Sequence, residues 1–313
     1  VDLVADIGAT NTRCALIDDK GHELTPECFA NASYGGIFEI LREYLDHRRT
    51  SDHPQRAALC VAAPILGDDV HMTNLNWRFS QAELKRELDL KRLIVTNDFA
   101  AVAWGLPHFG PADLRKIGGG TGPSRTALAA VGPGSGLGVS ALVPSNDGWA
   151  VVMGEGGHVS MPAVTGEEAE VVALIRERYG HCSAERVLSG PGLVNLYQAL
   201  ATLVGRGQPT ISAADVSELA RQGEPLARKT LTMFFSMLGT VAADVALTVG
   251  ARGGIYVAGG IAPKLVDSLA ESDFRTRFES KGRYRDYLAK IPTYVITAAL
   301  PAFRGLRYLL GYR

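Results

Sequence analysis

Cysteine is scarce and scattered. Cys14, Cys28, Cys60 and Cys182 are the four in the chain, and they stand far apart, without the close pairs that a tetrahedral zinc site or a redox dithiol uses. Reduced thiols are expected. An excess of one charge is lacking too: 32 Lys and Arg face 33 Asp and Glu, so no broad field draws nucleic acid or an anionic membrane, and any anion must be held by a local site. No long apolar run is free of charge. The longest, residues 226–249, is broken by Arg228, Lys229 and Asp244, which reads as a helix buried in a soluble core, with no membrane partner. The first residues read as a strand, not as a basic start with an apolar leader core, so nothing argues for export and the cytoplasm is the expected compartment. Low-complexity segments are absent as well.

What is present is enough apolar residue for two cores, and glycine. A chain of 313 residues that is 46% hydrophobic can form two domains sharing a cleft. In residues 3–17, apolar strand-like runs flank a polar turn at Gly8, where the backbone can approach a ligand. A second hairpin pattern, residues 127–142, turns at Gly134-Ser135-Gly136. Two such hairpins imply a duplicated architecture. A third glycine turn, Gly259-Gly260, also ends an apolar run but leads into a helical pattern. Backbone N–H groups at such turns form anion-binding concavities, and Asp6 beside the first could hold a magnesium-bound water against the same phosphates. A solvated turn carboxylate is the plainer alternative for Asp6.

Along the chain, Ile37, Ile40, Leu41, Tyr44 and Leu45 share a helical face, and residues 57–62 form a short apolar strand. Ser80-Gln81-Ala82-Glu83 has the capping-box pattern, and the strand at 93–95 then delivers Asn97 and Asp98. Residues 99–106 suit a helix stopped by Pro107. The loop Gly118-Gly119-Gly120 reads as a crossing into a second domain, with the boundary near residue 108. That domain continues through strands at 125–131, near Val139 and near Val151 to the polar turn Gly154-Glu155-Gly156-Gly157-His158, and then through helices, one with a capping box at Thr165-Gly166-Glu167-Glu168 and a stop at Gly180. A strand at 294–296 and a helix around 306–310 end the chain. The expected division is 1–108 plus 294–313 as a small α/β domain and 109–293 as a large one.

Asp98 follows a buried strand and opens a helix, where position favours an N-cap. A carboxylate at that place in an α/β cleft can also accept a hydroxyl proton while the oxygen attacks a terminal phosphate. Glu155-x-x-His158 has short ligand spacing, but no second pair or cysteine cluster completes a coordination sphere, so no protein-bound metal is expected. These side chains suit a polyhydroxylated ligand better, since carboxylates accept from hydroxyls and imidazole donates or accepts. Glu185 could join them, or be an ordinary acid in a helix's first turn.

Five motifs occur in one order over nearly the whole chain: Asp6-Ile7-Gly8-Ala9-Thr10-Asn11-Thr12-Arg13, Thr96-Asn97-Asp98-Phe99, Gly154-Glu155-Gly156-Gly157-His158, Ser183-Ala184-Glu185-Arg186-Val187-Leu188-Ser189-Gly190-Pro191-Gly192-Leu193 and Val257-Ala258-Gly259-Gly260-Ile261. Together they resemble bacterial glucokinases, in the group without the cysteine-rich zinc motif of the repressor-linked branch. The resemblance implies an α/β fold of the two-domain actin-like (ribonuclease H-like) sugar kinase type with an interdomain cleft. It also implies transfer of the γ-phosphate of ATP to the 6-hydroxyl of glucose, with Mg2+ carried on ATP, and a homodimer. By motif position, Asn97, Asp98, Glu155, His158 and Glu185 look like the sugar set, with Asp98 as base. Gly8, Thr10 and Asn11, with Gly134, Ser135 and Gly136, look like phosphate loops, and Gly259 and Gly260 like the adenosine side. Residues 301–305 read Pro-Ala-Phe-Arg-Gly where that group usually has Pro-Gly-Leu-Leu-Gly, a departure that bears on the packing of the last helix and on turnover. Ala9 and Ser135, where glycine and threonine are common, are milder changes. The other readings are a kinase for another hexose or another phosphoryl donor such as polyphosphate, and a glucose-binding regulatory protein with little turnover. Lys281, Arg283 and Arg285 form a basic cluster that suits an interface or, more commonly, a solvated face.

Overall fold

The computed structural model describes residues 1–47, 53–72, 75–146 and 148–312. Positions 48–52, 73–74, 147 and 313, which the expected division also takes in, lie outside the described residues. The chain divides into two units, Val1–Gly110 with Ala299–Arg313, and Pro111–Ala298.

In the first unit, β1 (Asp2–Ile7), β2 (Asn11–Ile17) and β3 (Glu23–Ala30) form an antiparallel meander, and β4 (Arg56–Val61) pairs parallel with β1. A small hairpin follows, β5 (Asp69–Met72) with β6 (Trp77–Ser80), before β7 (Arg92–Asn97) adds parallel to β4. The sheet order is β3-β2-β1-β4-β7. Nearly every residue of β1 and β4 is buried, which is why these strands read as continuous apolar runs without alternation. The helix Ile37–Asp46 buries Ile37, Ile40, Leu41 and Tyr44, the spacing of one helical face. Ser80 caps the helix Gln81–Glu87 by accepting from Glu83 N at 3.1 Å.

The final helix, Pro301–Leu310, packs on the helix Asp98–Gly105. They cross where Gly105 meets Gly305, and a Cβ on Gly305 would lie 1.8 Å from the Ala101 carbonyl oxygen. Phe303 is fully buried and Arg304 half-buried. The unusual 301–305 segment therefore fills the interior, and keeps glycine where the two backbones touch. Tyr312 Oη donates to Asp2 Oδ2 (2.6 Å), tying the tail to the start of β1.

In the second unit the strands are β8 (Leu114–Gly118), β9 (Leu128–Pro133), β10 (Leu137–Ser145), β11 (Gly148–Gly154), β12 (Gly254–Val257) and β13 (Thr293–Ile296), in the order β11-β10-β9-β12-β13-β8. The β9-β10-β11 meander is antiparallel and β12 and β13 run parallel to β9, so the first sheet's plan is repeated, as the twin hairpins imply. Two expectations change. Leu114–Gly118 is already an edge strand of this sheet, paired with β13, so Gly118-Gly119-Gly120 is not the crossing into it. β13 joins β12 and β8 here, so the tail returns to the first unit from Ala299 and not from residue 294.

Thr165 and Glu168 form the expected capping box on the helix Gly166–Tyr179, and Gly180 (φ 77°) ends it. The helix Pro225–Val249 is long and apolar enough to cross a membrane by length and composition, but Phe234, Phe235, Met237, Leu238 and Ala242 are buried in this unit's core. Lys281, from the basic cluster, pairs with Asp244 on that helix. All four cysteines are free thiols, and only Cys28 is exposed.

Candidate active site

In the first unit the polar side chains singled out in the sequence gather at the ends of the parallel strands, where Asp6 lies beside Cys60 and Cys60 beside Thr96; helices and loops beyond such ends are the usual place for ligands in α/β sheets. Cys60 Sγ donates to Asp6 Oδ1 at 3.4 Å, and the Arg13 guanidinium lies 3.9 Å from the same carboxylate. Burial pushes the Asp6 carboxyl up against the opposing pull of Cys60 and Arg13. Burial, with the charges of Asp6 and Asp98, pushes the Cys60 thiol well up. Cys60 is thus a protonated donor and not a nucleophile.

The first glycine turn is closed by Gly8 N donating to Asn11 O at 3.0 Å. It is braced by Asn31, which is 2% exposed. Asn31 Nδ2 donates to Gly8 O (2.8 Å), its backbone N donates to Thr10 O (2.9 Å), and its Oδ1 accepts from Thr12 Oγ1 (2.8 Å). Thr10 stays exposed, and Gly8 and Asn11 half-buried. Sequence reasoning missed Asn31, whose only signal is a polar residue just after a strand.

At the end of β7, Asn97 Oδ1 accepts from Phe99 N (2.9 Å) and Ala100 N (3.1 Å). Asn97 is therefore the N-cap, the role that position suggests for Asp98. Asp98 is the first helical residue, with Oδ1 accepting from Phe99 N at 2.8 Å. Among the described residues, Asn97 Nδ2 makes only a long bond, 3.4 Å, to Ala63 O.

In the second unit, Gly134 N donates to Gly136 O (2.8 Å), and Gly134 O accepts from Gly190 N (2.8 Å), the first residue of the helix Gly190–Leu203. Ser135 is exposed at the tip. The Gly259-Gly260 turn lies against this one: Gly259 has φ 81°, and a Cβ there would come within 2.3 Å of Pro133 O. Both conditions require glycine. A cavity of about 910 Å³ opens beside them, lined among others by Gly190, Arg228, Thr232, Gly260, Ile261 and Lys264, a size suited to a small organic ligand. Arg228, Thr232 and Lys264 carry no motif in the sequence and were missed there.

Glu155 leads into a short turn, Gly156–His158, with His158 N donating to Glu155 O at 2.9 Å. The Glu155 and His158 side chains are exposed, with Oε2 and Nε2 4.0 Å apart. Gly157 packs on β10 so closely that a Cβ would lie 2.1 Å from Leu137 O. Glu185 N donates to Gly157 O (2.9 Å), and Glu185 Oε2 accepts from Leu137 N (2.9 Å). Glu185 precedes its helix, which starts at Gly190 after the Ser189 cap, so it is not an acid of a helix's first turn.

The first unit thus holds Asp6, Gly8, Thr10, Asn11, Asn97 and Asp98, and the second brings Gly134, Ser135, Gly136, Glu155, His158, Glu185, Gly259 and Gly260 into one neighbourhood. Among the described residues no group of three His, Cys, Asp or Glu converges as metal ligands would.

The glucokinase family model matches residues 3–311. The glucokinase of Paramagnetospirillum magneticum is 46% identical over 311 residues, covering 98% of this chain and 97% of that one. The crystal structure of a glucokinase from an Antarctic psychrotroph has a TM-score of 0.87 at 37% identity, covering 98% of each chain. A ROK family glucokinase from Streptomyces griseus, solved with glucose and AMPPNP, has a TM-score of 0.67 at 19% identity with 98% of each chain covered, a likeness of fold. With the family match, the full-length relative and the fold in agreement, the chain belongs to the glucokinase family, enzymes that phosphorylate glucose with ATP.

Proposed function

We propose that the two-unit chain has the actin-like sugar kinase arrangement and moves the γ-phosphate of ATP to the 6-hydroxyl of glucose, with Asp98 as the base. The observation that carries this reading is the division of labour at the end of β7: Asn97 supplies the two cap bonds of the helix, so a carboxylate stands beside the cap at the parallel strand ends. Asp98 accepts the hydroxyl proton as the sugar oxygen attacks phosphorus. Asn97 Nδ2 donates to a sugar hydroxyl, Glu155 and Glu185 accept from hydroxyls, and His158 does either. Gly8, Thr10 and Asn11 meet phosphate from one unit, Gly134, Ser135 and Gly136 from the other, and Gly260, with Gly259 next to it, lines the cavity that takes adenosine.

Asp6 beside the first turn would hold a water of the Mg2+ carried on ATP, a cation that keeps several waters and binds mainly through the substrate phosphates. Bound with ATP, the cation neutralises phosphate charge. The rest is positioning and exclusion of the water that would hydrolyse ATP. A homodimer and a cytoplasmic location complete the reading, the latter supported by four free thiols. The burial of Phe303 shows that the altered 301–305 segment packs, which supports turnover over a regulatory protein with little of it.

The test mixes purified protein with Mg2+, ATP and a panel of hexoses, and measures ADP and phosphorylated sugar by mass spectrometry. Glucose 6-phosphate is expected well ahead of other products. An equal rate with an epimer, or a faster one with polyphosphate, overturns the substrate or the donor; bound glucose with no ADP formed overturns the kinase.

A further inference from the structure

We infer that Glu185 is a positioning residue for the nucleotide's phosphate turn as well as a sugar ligand, so that one carboxylate couples the two substrates. This rests on the proposed function above and deepens it. Glu185 touches both turns through different atoms. Its Oε2 accepts from Leu137 N (2.9 Å), the residue that closes the turn Gly134-Ser135-Gly136. Its backbone N donates to Gly157 O (2.9 Å) in the sugar turn. Its backbone O accepts from Ser189 Oγ (2.8 Å), the cap of the helix whose Gly190 N holds Gly134 O (2.8 Å). The phosphate turn is therefore gripped at both ends by a segment centred on Glu185.

The fit is close. A Cβ on Gly136 would lie 2.4 Å from Glu185 Oε2, so glycine at that position admits the carboxylate. Leu137 is 5% exposed, and removing its acceptor leaves an N–H with little access to water. With Oε2 on the turn, Oε1 is the oxygen left to face a sugar hydroxyl. A hydroxyl donating there fixes the carboxylate's rotation and disperses charge beside the place where phosphate oxygens bind. Glucose thereby improves nucleotide binding, and by linkage nucleotide improves glucose binding by the same factor.

Calorimetry with Mg2+ and AMPPNP tests this, with and without saturating glucose. The wild type is expected to bind AMPPNP about fivefold tighter with glucose present. Glu185→Gln keeps an acceptor for Leu137 N, so its sugar-free AMPPNP affinity stays within about twofold of wild type while glucose binding weakens. Glu185→Ala is expected to lose about tenfold in AMPPNP affinity with no sugar present. A role as sugar ligand alone leaves that number unchanged, and such a result overturns the inference. An equal loss in the glutamine variant also overturns it, because charge and not the hydrogen bond would then be responsible. Gly136→Ala displaces the same carboxylate while leaving Glu185 in place, and is expected to weaken both ligands; unchanged binding there overturns the inference even where Glu185→Ala fails to fold. Failure of the wild type to bind AMPPNP or to phosphorylate glucose would instead sink the functional reading itself.

Discussion

The two glycine turns have the same plan and opposite braces. In the first, Gly8 O is held by the side-chain amide of the buried Asn31 and Thr10 O by its backbone N. In the second, the turn ends are held by the Glu185 carboxylate and by Gly190 N, in a segment that also bonds the turn at Gly157. A neutral, buried brace is set once, when the chain folds. A charged brace that a ligand also touches, as inferred for Glu185, would respond to what is bound. On the inference drawn for Glu185, the two sheets carry one rigid turn and one responsive turn, and the proposed chemistry needs both.

Both braces are expected to matter less than the proposed base that they serve. Asp98→Asn should lower kcat by about 10²- to 10⁴-fold, the usual worth of a positioned general base. Glucose affinity, read by calorimetry, should move far less, since the amide keeps an acceptor oxygen. Substantial turnover in this variant removes Asp98 as base and moves the chemistry away from the frame at the end of β7.

The comparison is sharpened by Asn31→Ala. It strands Gly8 O and Thr12 Oγ1 and should cost about 1–3 kcal/mol of stability, measured by the denaturant midpoint, together with a raised KM for ATP. Its distinguishing outcome is that the ratio of AMPPNP affinities with and without glucose stays at the wild-type value, whereas Glu185→Ala is expected to abolish that ratio. A changed ratio in Asn31→Ala makes the first turn responsive too, and the contrast between the braces fails.

What the sequence made legible was local. Both hairpins, the helix face of Ile37, Ile40, Leu41 and Tyr44, and the Thr165–Glu168 capping box are patterns within a few residues, and each lies where it reads. What it hid was partnership at a distance. The run Thr293–Ile296 is plainly a strand, but its apolar residues do not say which sheet it joins, and the charged Leu114–Gly118 is a strand only because β13 lies beside it. At the site, Asn97 and Asp98 stand out together, yet both are good caps, and only the path of the chain leaving β7 decides which one reaches both Phe99 N and Ala100 N. Asn31 and the bond from Leu137 N to Glu185 had no motif, because they bridge segments that meet only in the folded chain.

The smallest expected effect lies beside the rigid turn, at Asp6. Burial raises its carboxyl above the usual carboxylate range in the folded protein. The folded state therefore holds its proton to a higher pH than the unfolded chain does, and this group's contribution to stability is full below the unfolded value and lost as pH rises through the raised folded one. Asp6→Asn removes the buried charge, so its melting temperature relative to wild type should be higher at neutral pH than near pH 4. The gain is opposed by the lost attraction to Arg13, 3.9 Å away, which keeps the shift small. The same variant should need more Mg2+ for half-maximal ATP turnover, because the proposed water-mediated hold on the cation is weakened. A melting difference that grows toward acid instead shows the carboxylate to be stabilised in its charged form, so that the strand end beside the first turn rests on the ion pair of Asp6 with Arg13.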